Sequence, residues 1–253
     1  MNDSGSIAAI IPARYASTRF PGKPLAPIAG VSMIQRVYEQ AKKCTFIDRV
    51  IVATDDRRIF DAVEGFGGEA IMTRDDHASG TDRLAEVAAR LPEISIIVNI
   101  QGDEPLIDPK AVDSAVEPLR RDSQIAMATA AWRICDPEEI DNHMVVKVVI
   151  DRDGFALYFS RHAIPYYRDG DKATLADRAY FGHLGLYVYR RETLLRLAAL
   201  KPTPLEQAEC LEQLRALEHG IKIKVVQFST RSLAVDVPED VAKVEAALQV
   251  LPV

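Results

Sequence analysis

Short apolar runs alternate with longer amphipathic segments along the first half of the chain. The apolar runs are nearly continuous and are bounded by turn residues, as expected for strands that helices cover on both faces. The segments between them space apolar residues three and four positions apart, which is typical of a helix with one buried face. The pattern therefore predicts βαβ units. The predicted strands are Ile7–Ile11, Val50–Ala53, Glu69–Met72 and Ile94–Ile100, and the predicted helices are Met33–Cys44 and Thr81–Leu91.

The second half of the chain departs from this alternation. Two apolar runs, Val145–Ile150 and Phe155–Ser160, are separated by Asp-Arg-Asp-Gly, a sequence typical of a hairpin turn. Antiparallel strands therefore enter the predicted sheet. A polar stretch from Tyr167 to Arg178 follows. Beyond it, the pattern predicts strand Leu184–Tyr189, helices Glu192–Leu200 and Glu206–Leu217, strand Ile221–Phe228 and a last helix from Pro238.

These elements predict an α/β fold with a mixed, mainly parallel sheet flanked by helices. The 253 residues fit one large domain, and neither an internal repeat nor a linker interrupts them. We therefore expect a single domain over residues 1–253. A smaller antiparallel insertion is expected within it, at approximately residues 145–195.

The composition is that of an ordinary globular protein, with a net charge of −6. An acidic balance argues against a protein that coats nucleic acid, which requires an excess of Lys and Arg. The longest uncharged stretches fall short of the roughly 20 residues that span a bilayer, so we expect a cytoplasmic protein that binds no membrane. Three cysteines, Cys44, Cys135 and Cys210, are spaced for neither a disulfide framework nor a zinc site, which predicts buried free thiols.

The first predicted strand runs directly into the loop IPARYASTRFPGKPL, which ends before the first predicted helix. Open α/β sheets place their ligand crevice here, outside the carboxyl ends of the strands. The loop holds three cations, Arg14, Arg19 and Lys23, and is stiffened by three prolines. It matches neither GxxxxGK[ST] nor GxGxxG, because its only glycine is Gly22. We interpret the loop as a phosphate cradle; a solvated surface loop is the alternative.

Two candidate metal ligands also follow predicted strands. The segment IIVNIQGDEP places Asp103 directly after a strand, where its carboxylate would lie near the cradle. Nucleoside triphosphates are handled as magnesium complexes, and Mg²⁺ takes one or two protein carboxylates together with phosphate oxygens and water. Asp103 is therefore a predicted Mg²⁺ ligand. Asp236, in the segment AVDVPED, is a second candidate, although Asp236 or Asp240 would also serve as a helix N-cap.

Several motifs occur together, in one order, over nearly the whole chain. Besides the cradle loop and VNIQGDEP, they are VIVATDD, HASGTDRLAEV, VKVV, ALYFSR, HLGLY, LEQLR and VDVPED. In this combination the sequence resembles the CMP-Kdo synthetases, which are 3-deoxy-manno-octulosonate cytidylyltransferases. The resemblance implies a nucleotide-diphospho-sugar transferase-like, Rossmann-like fold and transfer of CMP from CTP to the anomeric hydroxyl of Kdo (3-deoxy-manno-octulosonate). It further implies that pyrophosphate is released and that the activated sugar is used for lipopolysaccharide. The resemblance also implies a requirement for Mg²⁺ and a homodimer.

The same resemblance implies roles for individual residues. Lys23, Arg14 and Asp103 would be catalytic, and Asp103 and Asp236 would hold Mg²⁺. The nucleotide would be bound by Ala13, Arg14, Arg19, Lys23, Gly80 and Thr81. The Kdo site would comprise Gln101, Arg161, His183, Tyr187, Glu212 and Gln213, and the insertion would bind the acceptor and form the dimer. A bidentate grip on the Kdo carboxylate suits Arg161, and a hydrogen bond to a hydroxyl suits His183.

Some features leave alternatives open. Family members commonly carry a basic residue beside His183, where this chain has Phe181-Gly182, and often a glycine where it has Val188. A modified Kdo or another acidic sugar is therefore an alternative acceptor. A non-catalytic nucleotide-binding module is an alternative of another class. His183 could be a structural histidine, and SGTDR could be a helix start capped by Ser79 or Thr81.

Overall fold

The computed structural model describes residues 5–16, 19–168, 179–229 and 232–250. Its strands are β1 (Ser6–Ala13), β2 (Pro27–Ile28), β3 (Val31–Ser32), β4 (Arg49–Thr54), β5 (Ala70–Met72), β6 (Ile94–Asn99), β7 (Met127–Arg133), β8 (Lys147–Ile150), β9 (Ala156–Ser160), β10 (Phe181–Arg190) and β11 (Ile223–Phe228). Its α-helices are α1 (Met33–Ala41), α2 (Arg57–Gly65), α3 (Gly80–Arg90), α4 (Pro109–Arg121), α5 (Pro137–Asp141), α6 (Arg191–Ala199), α7 (Pro204–Glu209), α8 (Gln213–Glu218) and α9 (Asp240–Val250).

The chain forms two compact units. Within the described ranges, the first contains the chain up to Asp113, the segment Arg190–Ala198 and the chain from Ser232 onward. The second contains Ser114–Tyr189 and the segment that starts at Ala199. The expected single domain with an insertion at about residues 145–195 stays a prediction. Most of the polar stretch Tyr167–Arg178 lies outside the described residues.

The first unit contains a parallel sheet with the strand order β6-β1-β4-β5. Strand β1 has a neighbour on each side, with Ile10 opposite Ile51 of β4 and Asn99 of β6. Ile10 and Ile11 are fully buried although they point to opposite faces, which explains why this strand is continuously apolar. The four strands predicted for this half are confirmed, with ends shifted by a few residues.

Helices α1, α2 and α3 pack against this sheet. Helix α3 begins with a capping box, in which the Ser79 hydroxyl accepts from the Asp82 amide at 3.2 Å and the Asp82 carboxylate accepts from the Ser79 amide at 3.2 Å. Ser79, rather than Thr81, is therefore the N-cap. The short strands β2 and β3 pair in an antiparallel ribbon beside α1.

The second unit contains the strand order β11-β7-β10-β8-β9. Strands β11 and β7 are parallel, whereas β7 and β10, β10 and β8, and β8 and β9 are antiparallel. The predicted hairpin is confirmed: the Asp151 carboxylate accepts from the amides of Asp153 and Phe155, and Gly154 has a φ of +78°. Together the two units bear out the mixed, mainly parallel sheet flanked by helices.

Some expectations were wrong. The helix predicted over Glu206–Leu217 is two helices, α7 and α8, because the chain turns at Cys210 with a φ of +52°. The amide of Leu211 then donates to the carbonyl of Glu206, which closes α7 in the manner of a Schellman turn. Cys44 is buried as predicted, but Cys135 and Cys210 are exposed. No helix in the described ranges is long and apolar enough to cross a membrane.

Candidate active site

The loop after β1 is folded back on itself by Gly22. The Gly22 amide donates to the Tyr15 carbonyl at 2.9 Å, and the φ of Gly22 is +73°. A Cβ atom at this position would lie 3.0 Å from the Tyr15 ring, so both the backbone angle and the space favour glycine. One turn of 3₁₀ helix, Lys23–Leu25, follows directly. Lys23 therefore directly follows a tightly fixed turn. Ser17 and Thr18 of the predicted cradle lie outside the described residues.

Lys23 joins three distant segments of the first unit. Its Nζ donates to Asp103 Oδ2 at 2.6 Å and to the carbonyl of Val235 at 3.0 Å. The amide of Val235 in turn donates to the carbonyl of Asp103 at 2.9 Å. An ammonium has three donors, and these contacts use two of them. The third donor and the second oxygen of Asp103 are therefore suited to groups of a ligand.

Asp236 is held beside this cluster by the packing of its neighbour. Val235 is fully buried in an apolar cluster with Ile28, Met33 and Val244 of α9. The exposed Asp236 carboxylate faces Arg19, with 3.3 Å between Oδ1 and Nη2. Asp240 is the first residue of α9, and its carboxylate accepts from the amides of Asp236 and Val237, which precede the helix, so Asp240 is not the N-cap.

Two glycines bring further segments close to the end of β1. A Cβ atom on Gly102 would lie 2.9 Å from the Pro12 carbonyl oxygen, so the turn that contains Gln101 and Asp103 passes the strand end closely. A Cβ atom on Gly80 would lie 3.7 Å from the Pro12 ring. The predicted nucleotide-site residues of the first unit therefore converge on this end of β1. Ala13 and Thr81 are buried there, whereas Arg14 and Arg19 are exposed.

The donor set at this edge fits Mg²⁺. Asp103 and Asp236 supply hard carboxylate oxygens on segments joined by the Val235 amide, and 30% and 45% of their side-chain surfaces are exposed. No group of three or more His, Cys, Asp or Glu that could hold a metal occurs among the described residues. Two carboxylates are nevertheless the number that Mg²⁺ takes when phosphate and water complete its octahedron. The neighbouring cations Arg19 and Lys23 suit the phosphates themselves.

Arg161, in the second unit, donates four hydrogen bonds at the end of β9. Its amide donates to Glu209 Oε2 at 2.9 Å and its Nε to the Glu209 carbonyl at 2.8 Å. Its Nη1 and Nη2 donate to the carbonyls of His143 and Cys210 at 3.1 and 3.4 Å. Two of the five guanidinium donors, one on each terminal nitrogen, have no partner within the described ranges and are suited to a ligand. A pair of N–H groups on the two terminal nitrogens suits a carboxylate.

His183 lies on β10, beside a bulge opposite β7. The Thr129 hydroxyl donates to the Leu186 carbonyl at 2.6 Å, so its contact with His183 Nε2 at 2.9 Å requires the imidazole to be the donor. Burial lowers the pKa of His183 to about 3, which keeps the ring neutral near pH 7. The Nδ1 atom of His183 is therefore a hydrogen-bond acceptor. One ring nitrogen of His183 thus makes a structural hydrogen bond, while the other has no hydrogen-bond partner in the part of the chain that the structure describes.

Tyr187 and the start of α8 complete the predicted acceptor residues of the second unit. The rings of Tyr187 and His183 have centroids 5.2 Å apart. Burial, with the neighbouring Tyr189 and the Glu212 carboxylate, raises the pKa of Tyr187 well above its ordinary value, so its hydroxyl stays protonated. Gln213 is buried, and its Nε2 has no hydrogen-bond partner among the described residues. A buried amide without a partner is costly and suits a ligand-binding role.

Sequence reasoning missed three residues that support this site. Thr129 fixes the tautomer of His183, Glu209 holds Arg161, and Lys147 is fully buried beneath the Arg161 backbone. Only Lys147 carried a signal, because a lysine inside the apolar run Val145–Ile150 is unusual. Of the predicted Kdo-site residues, Gln101 belongs to the first unit and the other five belong to the second.

Comparison with known proteins identifies the family. The family model described as cytidylyltransferase matches residues 8–223. A 3-deoxy-manno-octulosonate cytidylyltransferase of Syntrophotalea carbinolica is 57% identical over 248 residues, which are 96% of this chain and 99% of that protein. A solved CMP:2-keto-3-deoxy-manno-octonic acid synthetase complexed with CTP is 44% identical, with a TM-score of 0.90, over 96% of this chain and 98% of that chain.

More distant structures share the fold alone. A 4-diphosphocytidyl-2C-methyl-D-erythritol synthase of Anaerococcus prevotii is 17% identical, with a TM-score of 0.65, over 98% of this chain and 100% of that chain. The family model and the relatives of 44% or higher identity define a nucleotidyltransferase, in agreement with the basic loop at the carboxyl edge of the sheet. Within that class the chain belongs to the 3-deoxy-manno-octulosonate cytidylyltransferase family, which confirms the resemblance seen in the motifs.

Proposed function

We propose that this enzyme transfers CMP from CTP to the anomeric hydroxyl of Kdo and releases pyrophosphate. One structural observation carries the proposal. Lys23, Asp103 and Asp236 are brought together from three segments at the carboxyl end of a parallel sheet. Cations and carboxylates at one point suit a nucleoside triphosphate, because both the phosphates and a divalent cation can be bound there. The activities named for the close relatives supply the nucleotide and the acceptor.

The first unit would bind the nucleotide. Arg14, Arg19 and Lys23 would neutralise the triphosphate, and positioning with charge neutralisation is the main catalytic need in such a transfer. Asp103 and Asp236 would hold Mg²⁺, which supplies further charge stabilisation on the phosphate oxygens when bound. The nucleoside would lie against the end of β1 and the start of α3, at Ala13, Gly80 and Thr81.

The second unit would supply contacts to the acceptor sugar. Arg161 would hold the Kdo carboxylate through its two remaining N–H groups, and His183 Nδ1 would accept from a sugar hydroxyl. The Tyr187 hydroxyl and the unpartnered Gln213 amide would donate to sugar oxygens, with Glu212 accepting. Several hydrogen-bond donors and acceptors, together with one guanidinium for the carboxylate, suit a polyhydroxy acid.

The wider assignments follow from the same proposal. The product would be an activated sugar for lipopolysaccharide, made in the cytoplasm by a homodimer. Light scattering of the purified protein tests the dimer, for which a mass of one chain would be the contrary result.

The test of the reaction is pyrophosphate release with CTP, Mg²⁺ and a panel of acceptors. We expect release with Kdo and little with the other nucleoside triphosphates or without Mg²⁺. An amino-substituted Kdo and sialic acid belong in the panel, because Phe181-Gly182 and Val188 depart from the common family pattern. Higher kcat/KM with either of these acceptors would overturn the assignment of Kdo. CTP binding without release from any acceptor would instead support a binding module.

A further inference from the structure

Lys147 of β8 is a fully buried lysine whose three donors are all used. Its Nζ donates to the carbonyls of Asn142 at 3.0 Å, Val145 at 2.7 Å and Arg161 at 2.6 Å. Burial lowers the pKa of Lys147 below its ordinary value. Burying an ammonium costs free energy unless its donors are satisfied, and three carbonyls satisfy this one. The lysine is thus committed to backbone atoms and has no donor left for a ligand.

Two of the three carbonyls belong to a turn that contacts Arg161, and the third belongs to Arg161 itself. Asn142 and Val145 flank the turn before β8, and this turn includes His143. The carbonyl of His143 accepts from Arg161 Nη1 at 3.1 Å. One ammonium therefore fixes the backbone from which the arginine side chain extends and the turn that orients one terminal nitrogen.

The other contacts of Arg161 come from a separate segment, the end of α7. Glu209 accepts from the Arg161 amide and Nε, and the Cys210 carbonyl accepts from Nη2. Lys147 and Glu209 thus hold the arginine from two sides. Lys147 is fully buried, whereas Glu209 is only partly buried. A substitution of Lys147 removes none of the atoms that make the α7 contacts.

We propose that Lys147 is a positioning residue for the acceptor site, which acts by holding Arg161 in the orientation that binds the sugar carboxylate. The inference rests on the proposed function, because it takes Arg161 as the carboxylate ligand. It adds a residue that touches no substrate. Two N–H groups must stay directed at a carboxylate for bidentate binding, and a misplacement of about 1 Å in such a group costs on the order of 100-fold.

The test compares Lys147→Met with Lys201→Met, which changes an exposed lysine of the same unit. Steady-state kinetics would give KM for Kdo, KM for CTP and kcat for each variant. We expect Lys147→Met to raise KM for Kdo by roughly tenfold or more, with KM for CTP within about twofold of wild type. Lys201→Met should match wild type in all three constants. A merely structural role would instead change both KM values together or leave them unchanged.

A double-mutant cycle with Arg161→Gln shows whether Lys147 acts through Arg161. If it does, Lys147→Met should add little to the rise in KM for Kdo once Arg161 is replaced. Equal effects in both backgrounds would overturn the inference. Lys147→Gln, which retains a donor, serves if Lys147→Met does not fold. Unfolding of both variants would count against a positioning role, since Lys147 would then be required for the fold.

The same measurements distinguish failure of the Lys147 inference from failure of the proposed function. Wild-type turnover of CTP and Kdo with an unchanged KM for Kdo in Lys147→Met would overturn this inference alone. Absence of wild-type turnover with every acidic acceptor would overturn the proposed function and this inference with it.

Discussion

Arg83 of α3 donates a hydrogen bond of 2.8 Å to the carboxylate of Asp55, the residue that follows β4. Only 5% of the Arg83 side chain and 19% of the Asp55 side chain are exposed. Arg83 also donates to the Thr73 hydroxyl and to the Arg74 carbonyl, just after β5. The ends of two strands are therefore tied to the first turns of α3, where Gly80 and Thr81 lie.

Replacement of Arg83 by Met should destabilise the first unit. It would leave the Asp55 carboxylate partly buried and unpaired, and loss of one member of a buried ion pair costs about 3 kcal/mol. Urea denaturation measures the change in unfolding free energy. The matched control is Arg57→Met, because Arg57 pairs with Asp61 on the exposed face of α2 and such pairs contribute about 0.5 kcal/mol. Equal losses of unfolding free energy in the two variants would show that the Arg83–Asp55 pair stabilises the fold no more than an exposed pair does.

Replacement of Lys23 by Ala should weaken CTP binding. The third donor of the Lys23 ammonium would be lost, and a hydrogen bond between charged groups is worth enough to lower affinity on the order of tenfold or more. Calorimetric titration with CTP measures the effect, and the fold should persist because Lys23 is only partly buried. Lys42→Ala, which removes an exposed cation elsewhere in the first unit, is the control. A similar loss in Lys42→Ala would indicate that net charge, not the cradle, binds the nucleotide.

The net charge of −6 conceals a basic segment at the start of the sequence, residues 1–43. Residues 1–43 carry six Lys and Arg against two Asp and Glu, while the remaining 25 cations and 35 anions leave a balance of −10. An acidic average thus excluded a nucleic-acid coat without excluding one compact triphosphate. The first 43 residues contain all three cations of the predicted cradle.

Replacement of Asp103 by Asn should slow turnover on the order of 100-fold, as expected when one electrostatic stabiliser is removed. The amide keeps the size of the side chain but not its charge, so both Mg²⁺ binding and the contact with Lys23 are weakened. Pyrophosphate release over a range of Mg²⁺ concentrations separates the two effects, since excess Mg²⁺ should recover part of the rate if Asp103 is a ligand. Asp61→Asn, on the exposed face of α2, provides the control. Near-normal turnover in Asp103→Asn would show that Asp103 is not a metal ligand.

The strands of the first unit could be predicted because burial on both faces leaves a continuous apolar run, as in β1. Strand β7 could not, since its sequence MATAAWR is rich in Ala rather than in β-branched residues. The break between α7 and α8 could not be predicted from the sequence pattern either. There the carbonyls of Glu209 and Cys210 accept from Arg161, about fifty positions earlier, so tertiary contacts override a sequence that reads as one helix.

The residues of the candidate site could likewise be predicted only in part from the sequence. Asp103 and Lys23 stand out in the sequence because each lies just beyond a strand or within a stiff loop. Their contact with Val235, more than a hundred positions later, follows only from the fold. Lys147 stands out as a charge in an apolar run, but its three carbonyl partners depend on the pairing of β8 with β9 and on the turn before β8.

His183 should stay neutral throughout the physiological pH range. Burial holds its folded-state pKa at about 3, whereas an unfolded histidine titrates near 6.5. The ring-proton NMR signal of His183 can be assigned by its absence from the spectrum of His183→Gln. In the folded protein this signal should not shift between pH 5 and 8, whereas in urea it should titrate. Because the unfolded chain takes up this proton below pH 6.5 and the folded chain does not until about pH 3, His183 lowers the unfolding free energy as pH falls through that interval. The unfolding free energy of His183→Gln should consequently depend less on pH between 5 and 6.5 than that of wild type. A folded-state titration of His183 near pH 6.5 would contradict the neutral tautomer, and with it the assignment of Nδ1 as the acceptor of a sugar hydroxyl.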